Sequence, residues 1–236
     1  MRTDDRQNIL NLLRRGQWFG ELPEDLQTLL LDNSMLRLAE EGQVLIAEET
    51  HPTGMFALLD GQIAITRQIA DKGDFFYHLG GPGFWFGESG LLNREYTNIT
   101  ATARTKVRTL FLPASSFEQI IDSEPRYYRL INKLVLARYA IIMRNLGQSN
   151  SFSPEEYLRI RLADLSDMIH SEGFSSETVE LALSQADLAA MIGSSRQTIN
   201  MLLKKLEAQR LIEVNFRKIR ILDPSGLRGE HRKTGL

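Results

Sequence analysis

The chain has 236 residues, a formal net charge of −2, 42% hydrophobic and 25% charged residues, and no cysteine. That balance suits two modest folded domains, and the missing cysteines exclude disulfides, thiol catalysis and cysteine-ligated iron–sulfur clusters, fitting a reducing cytoplasm. No apolar run approaches the roughly 20 residues of a membrane span, and the opening MRTDDRQNILNLLRRGQW lacks the apolar core of a secretory signal.

Residues 1–123 read as a sensor domain. Helical segments at 6–15 and 22–31 precede short apolar segments at 44–46, 55–59, 63–65, 75–79, 99–101 and 107–112. Turn residues recur between them, at Glu41-Gly42, 52–54, Asp60-Gly61, 71–74 and 80–83. Short strands at such spacing predict a roll or barrel of hairpins. Residues 124–147 predict one long helix. Tyr128, Val135 and Ile142 recur at seven residues, as do Leu134 and Ile141, with Ile131 between. Apolar positions cover more than one stripe, so one side can pack on the roll while another meets a second copy of the chain; Arg138 and Asn145 interrupt that seam. The polar run QSNSFSP predicts a hinge at 148–153, and residues 154–236 form a second domain. That domain opens with a helix at 155–170 carrying Leu158, Leu162 and Leu165 on one face. A Ser/Gly-rich loop at 171–176 and a strand at 178–183 follow.

QADLAAMIGSSRQTINML, residues 185–202, has the spacing of a helix-turn-helix. Ala189 leaves room for the second helix, Gly193 at the turn can take a positive φ, and Leu188, Ile192, Ile199 and Leu202 supply the contacts between helices. Ser184 with Asp187 resembles a capping box, and Ser194 or Ser195 can cap the second helix. One face of that helix, through Ser195, Arg196, Gln197, Asn200, Met201 and Lys204, has nothing inside the protein to pack on and suits the major groove of DNA. Ser184 and Gln185, opening the first helix, join them as candidate DNA contacts. EVNFRKIRIL then predicts two short strands about a turn at 215–218, a basic wing whose Arg217 and Lys218 can reach phosphates. From Ser184 onward ten Lys/Arg face five Asp/Glu, so that segment is +5 while the preceding 183 residues carry −7. A polyanion senses this asymmetry, which the whole-chain charge hides.

GSSRQTINMLLKKLEAQRLIEV (193–214), FGESGLL (86–92) and LLDGQIAI (58–65), in this order with the long helix, resemble the Crp/Fnr family of bacterial transcription regulators. The resemblance runs from about Trp18 to Leu222. It implies an α+β chain: an N-terminal cyclic-nucleotide-binding-like β-roll, a long dimerisation helix and a C-terminal winged helix-turn-helix. It further implies a homodimer on a roughly palindromic operator in double-stranded DNA, contact with RNA polymerase, and a roll that senses a signal. The effector-pocket candidates under that resemblance are Gly87, Glu88, Ser89, Thr97, Asn98, Ile142 and Met143.

Two departures bear on what the resemblance carries over. Members that bind cyclic AMP follow the Gly-Glu pair with an Arg-Ser that closes on the phosphate; the aligned residues here are Thr97-Asn98, and Arg94 and Arg104 lie nearby without aligning. Those members also hold the purine with Thr-Ser on the long helix, where this chain has Ile142-Met143. Thr and Asn cannot replace the charge-assisted bonds of a guanidinium, so cyclic AMP is not the expected effector. No cofactor is required, a small-molecule effector of another kind is compatible, and an effector-independent regulator controlled by its abundance is the alternative. On the recognition helix, the best-known Arg-Glu followed by Arg is replaced by Arg196, Gln197 and Met201, which predicts a changed half-site. The aromatic cluster Phe75, Phe76, Tyr77, Phe84, Trp85 and Phe86 reads as core before it reads as a pocket for a planar effector. His51 and His78 are isolated and lack the haem-attachment pattern, and no metal site is predicted. The chain shows no nucleophile elbow, Walker loop or His-Glu-x-x-His, so no enzyme is expected.

Overall fold

The computed structural model describes residues 3–69, 73–171 and 179–229. Three helices open the chain: α1 (Thr3–Leu13), α2 (Gln17–Gly20) and α3 (Glu24–Asp32). Eight strands follow: β1 (Met35–Ala39), β2 (Val44–Ile46), β3 (Gly54–Asp60), β4 (Ile63–Ile69), β5 (Gly73–Gly80), β6 (Trp85–Phe86), β7 (Thr100–Ala103) and β8 (Val107–Pro113). They form two antiparallel four-stranded sheets, ordered β1-β8-β3-β6 and β2-β7-β4-β5. α4 (Glu88–Asn93) interrupts the strands after β6, and α5 (Ala114–Ser123) closes the roll. β1, β6, α4 and α5 are not among the elements expected from the sequence. β1 has four exposed residues in five, so no alternation between inside and outside marks it.

The apolar run of β3 is buried from Gly54 to Leu59, because one face meets the roll interior and the other the helices. Inside the roll lie Phe56, Leu58, Ile63, Phe86, Ala101 and Phe111. Behind it, Met55, Ala57 and Leu59 pack with Leu13, Leu26, Phe117 and Ile131. The hairpin linking β3 to β4 turns at Gly61, where φ is +85 and a Cβ would sit 2.4 Å from the Lys106 carbonyl oxygen, so only glycine fits.

α6 (Pro125–Ser151) is longer than expected, and α7 (Pro154–Ser171) follows almost at once. The predicted hinge at 148–153 is therefore corrected: 148–151 are helical and only Phe152 and Ser153 intervene. Half-buried Gln148 and exposed Ser149 and Asn150 extend a helix at modest cost, and Pro154 occupies the first position of α7, where its missing N–H is not needed. Glu156 accepts from the Ser153 amide at 2.9 Å and hydroxyl at 2.7 Å, closing a capping box there. The Tyr127 hydroxyl donates to Asp25 at 2.9 Å and, with Arg126, ties the start of α6 to α3. The Tyr127 bond holds the Asp25 carboxyl below its usual range.

Beyond α7 come β9 (Val179–Leu181), α8 (Gln185–Ile192), α9 (Arg196–Ala208), β10 (Ile212–Asn215), β11 (Lys218–Ile221) and α10 (Pro224–Arg228). The expected Ser/Gly loop lies outside the described residues except for Ser171, which ends α7. β9 joins the wing hairpin in a three-stranded sheet, ordered β10-β11-β9. The helices and sheet of this second domain share one core with Ala64, Phe76 and Leu79 of the roll, so the two halves are joined through packed side chains as well as through α6.

Candidate nucleic-acid interface and roll pocket

The local capping chemistry builds the helix-turn-helix. Ser184 accepts from the Asp187 amide at 3.2 Å while the Ser184 amide donates to Asp187 at 2.8 Å, the reciprocal box that starts α8. Gly193 ends α8 in the left-handed region at φ +69. Ser195 caps α9, accepting from the Thr198 amide at 3.1 Å. Leu188, Ile199, Leu202 and Leu206 are buried between the helices and the sheet, whereas Ile192 is only partly covered.

The opposite face of α9 presents Ser195, Arg196, Gln197, Asn200, Met201 and Lys204, all exposed. Among the described residues, the side chains of Arg196, Gln197, Asn200 and Lys204 make no hydrogen bond or ion pair. Lys205, one residue on, is instead committed to Glu155 at 2.6 Å. Ser184 and Gln185 are half-buried, and Asp187 beside them also receives Arg104 of the roll at 2.6 Å. In the wing, Asn215 pairs with Lys218, leaving Phe216 and Arg217 at the tip. Phe216 is 90% exposed and Arg217 lies at φ +57 without a side-chain partner among the described residues. Lys218 is not free: its ammonium pairs with Glu180 at 2.6 Å, a link between strands that sequence spacing could not show. Glu207 on α9 accepts from the Val214 amide at 2.8 Å and so sets the wing relative to the recognition helix.

The roll-pocket candidates do not converge on one open site. Gly87 takes φ +100 with a notional Cβ 2.9 Å from the Gly54 carbonyl oxygen, which explains glycine in the Phe-Gly-Glu segment. Glu88 is 1% exposed, and one of its carboxylate oxygens receives Arg138 of α6. The same guanidinium donates to the Trp85 carbonyl and sits 5.0 Å from the centre of the Phe84 ring. Ser89 is half-buried and Asn98 exposed. Thr97 is buried and spends its hydroxyl on the Ala47 and Thr50 carbonyls, stitching the preceding loop. Ile142 and Met143 are 49% and 46% exposed on the outer side of α6. Neither nearby arginine faces Glu88 in place of the missing one: Arg94 is 3.8 Å from Glu118 and Arg104 reaches α8. Arg138, which the heptad pattern marks only as an interruption of the seam, meets Glu88 of the roll, a contact that no local spacing signals.

The six aromatic residues divide rather than line one pocket. Phe76 joins the core shared with the second domain, Trp85 stacks with Phe19 behind the roll, and Phe86 stacks with Phe56 inside it. The His78 ring lies 4.8 Å from that of Phe84, and the His51 ring lies tilted 4.4 Å from that of Tyr96. Loss of solvent, then the Arg161 and Arg138 charges, push His78 down to about 3.

α6 carries two stripes. Tyr127, Ile131 and Leu134 are buried against the roll. Ile131 and Leu134 are therefore corrected from the dimer face to the roll face. Tyr128, Leu136, Tyr139, Ile142, Met143 and Leu146 form an exposed apolar stripe, with Val135 partly covered beside it and Ile141 turned part-way inward. Arg138 and Asn145 lie on the inner side, Asn145 accepting from Arg161 of α7 at 3.0 Å.

Two family profiles match the two halves: the cyclic nucleotide-binding domain over residues 36–124 and the Crp-like helix-turn-helix domain over 158–230. The "Probable transcriptional regulator flp" of Lacticaseibacillus casei is 28% identical over 189 residues, covering 79% of this chain and 83% of that protein. In fold, the chain is similar to FixK2 from Bradyrhizobium japonicum, with a TM-score of 0.70, 15% identity, and 82% and 95% of the two chains covered. It is also similar to TTHA1359, a Crp/Fnr-family transcriptional regulator from Thermus thermophilus, with a TM-score of 0.64, 21% identity, and 82% and 96% covered. No helix among the described residues is long and apolar enough to cross a membrane. With a cyclic-nucleotide-binding-type roll and a capped helix-turn-helix in that order, the chain belongs to the Crp/Fnr family and is a DNA-binding transcription regulator of that type.

Proposed function

We propose that the protein is a cytoplasmic homodimeric regulator, without enzymatic activity, that binds a roughly palindromic operator through one α9 per half-site and does not answer to cyclic AMP. The observation that carries the DNA reading is the row Arg196, Gln197, Asn200 and Lys204, exposed and uncommitted on a helix whose other side is packed. Arg196 can bond guanine in two places and Gln197 can donate and accept at adenine, while Met201 offers apolar contact to a thymine methyl. The exposed apolar stripe on α6 supports the second copy, since such a surface is seldom left to water. Contact with RNA polymerase is the family's usual route to activation and is proposed on that ground alone.

The roll lacks an arginine at Thr97-Asn98, and the buried Glu88 carboxylate is paired with Arg138. That observation favours the second reading, in which no effector is needed and abundance sets the output. A small-molecule effector of different chemistry would show itself as a change in DNA affinity on adding a cell's small-molecule extract, and under this reading none is expected. Selection of bound DNA from a random pool should return inverted repeats, and titration calorimetry with cyclic AMP should show no site of micromolar or tighter affinity. Recovery of single, unrepeated half-sites would refute the dimer, and a tight nucleotide site would refute the reading of the roll.

A further inference from the structure

We propose that Phe216, at the tip of the wing, is an apolar wedge that enters the DNA minor groove beside the half-site and selects an easily unstacked base step there. The wedge rests on the reading above, with α9 in the neighbouring major groove, and adds a second determinant of operator choice, one of DNA shape.

Two adjacent residues at the tip break the local rules of a hairpin. Phe216 is 90% exposed, the most exposed large apolar side chain among the described residues. A lone exposed apolar residue is ordinary by itself. Arg217 beside it holds φ at +57, a conformation that asparagine or glycine adopts more cheaply and that two-residue turns usually give to them. Two large side chains thus stand where two small ones would close the turn better, and neither belongs to the core of the domain. Local rules broken without a gain in packing mark positions kept for function.

Charge and position identify the partner. Lower on the hairpin, Lys218 pairs with Glu180 at 2.6 Å and Arg220 with Glu213 at 3.0 Å, so the stem is balanced within its own sheet. Arg217 alone of the wing's cations has no side-chain partner among the described residues. A free cation next to a free ring suits a polyanion with an apolar interior. Duplex DNA is one, with phosphates along its ridges and stacked bases that an inserted Phe can part from the minor groove. The hairpin is also fixed beside α9, because Glu207 of that helix accepts from the Val214 amide at 2.8 Å. Next to a major groove filled by α9 lie a phosphate ridge and then the minor groove. Arg217 on the ridge positions the wing, while Phe216 senses how readily a base step opens. Pyrimidine–purine steps yield most easily and A-tracts resist.

The test uses the full chain and the selected operator, rebuilt with TA steps or with A-tracts flanking each half-site. 2-Aminopurine, placed in turn at each flanking step, reports unstacking by a rise in fluorescence. Phe216→Ala should leave the unfolding midpoint unchanged. It should weaken binding to the TA operator by about fivefold or more, the usual worth of one aromatic–base contact. It should also bring TA and A-tract operators to equal affinity and abolish the fluorescence rise that the wild type gives. Phe216→Leu, still an apolar wedge, should keep most of all three, and Phe216→Ser none. If Phe216→Ala binds every operator within about twofold of wild type, or loses affinity but keeps the flank preference and the fluorescence rise, there is no wedge. Binding of the wild type but not Phe216→Ala to phosphatidylglycerol vesicles, with DNA affinity unmoved, would give the tip to a lipid surface and refute the wedge. Arg196→Ala separates the wedge from the reading of α9. If half-site preference survives in Arg196→Ala while Phe216→Ala loses flank preference, α9 is misread and the wedge stands; the reverse result removes the wedge alone. A wild-type chain that binds no duplex overturns both.

Discussion

At the scale of single residues, the difference between reading and positioning DNA is open to measurement. Arg196 stands uncommitted in the first turn of α9, whereas Lys218 is already paired with Glu180 and Arg217 at the wing tip is not. Arg196→Ala should cost about 1–3 kcal/mol on the selected operator and relax one base pair, because a base contact distinguishes sequences. Arg217→Ala should weaken all DNAs alike and lower the salt slope by about one ion, because a phosphate contact only positions. Equal losses on operator and scrambled DNA for Arg196→Ala would make that residue a phosphate clamp. His78 gives a prediction in pH. Its folded value near 3 lies below the ordinary 6.5, so the folded protein resists the proton that the unfolded chain accepts. Stability should therefore fall as pH drops from about 6.5 towards about 3, and His78→Gln should flatten that part of the profile. A variant that tracks the wild type across the window would exclude His78 as the source. The His–arginine surroundings could not be read from sequence, since Arg138 and Arg161 reach His78 from two different helices.

At the scale of elements, α6 shows what periodicity resolves and what it does not. Heptad spacing identified a helix with too much apolar surface for one face, and the structure divides that surface into two stripes. The division depends on which side meets the roll, and seven-residue spacing alone cannot choose between stripes about a third of a turn apart. Ile131 and Leu134 went inward, leaving Tyr139, Ile142 and Leu146 exposed. Replacing Tyr139 and Ile142 by glutamate should convert a dimer at micromolar concentration into a monomer and weaken operator binding with it, while the roll core stays folded. Sedimentation showing an unchanged assembly would place the interface elsewhere. The hinge is the opposite case: polar composition suggested a break, but composition without glycine or an interior proline does not stop a helix before Pro154.

At the scale of the whole molecule, the roll and the DNA-binding domain are joined laterally. The Gln62 side chain donates to the Glu180 carbonyl at 2.6 Å and accepts from the Ala182 amide at 2.7 Å, as another strand would. Arg104 adds its ion pair with Asp187, and Ala64, Phe76 and Leu79 enter the second domain's core. A single calorimetric unfolding transition is expected for the wild type. Gln62→Ala should lower stability by about 1–2 kcal/mol, the usual net worth of one or two such bonds, and together with Arg104→Ala should separate two transitions. Two well-resolved transitions in the wild type would show that this junction carries little coupling.

The helix-turn-helix, its caps and its exposed row were determined by the sequence alone, because the capping bonds and the turn fall within one short segment and follow from local hydrogen bonding and helical spacing. The same holds for β2, β3, β4, β5, β7 and β8 of the roll, though not for β1 and β6, and for the absence of an arginine at Thr97-Asn98. The long-range ion pairs were decided only by tertiary structure. Arg138 meets Glu88 across 50 residues, Arg104 meets Asp187 across 83, and Lys218 meets Glu180 across 38. Each pairing depends on how separate elements pack. A long flexible side chain has many directions open to it until packing and burial leave one, and that choice is written in no local pattern.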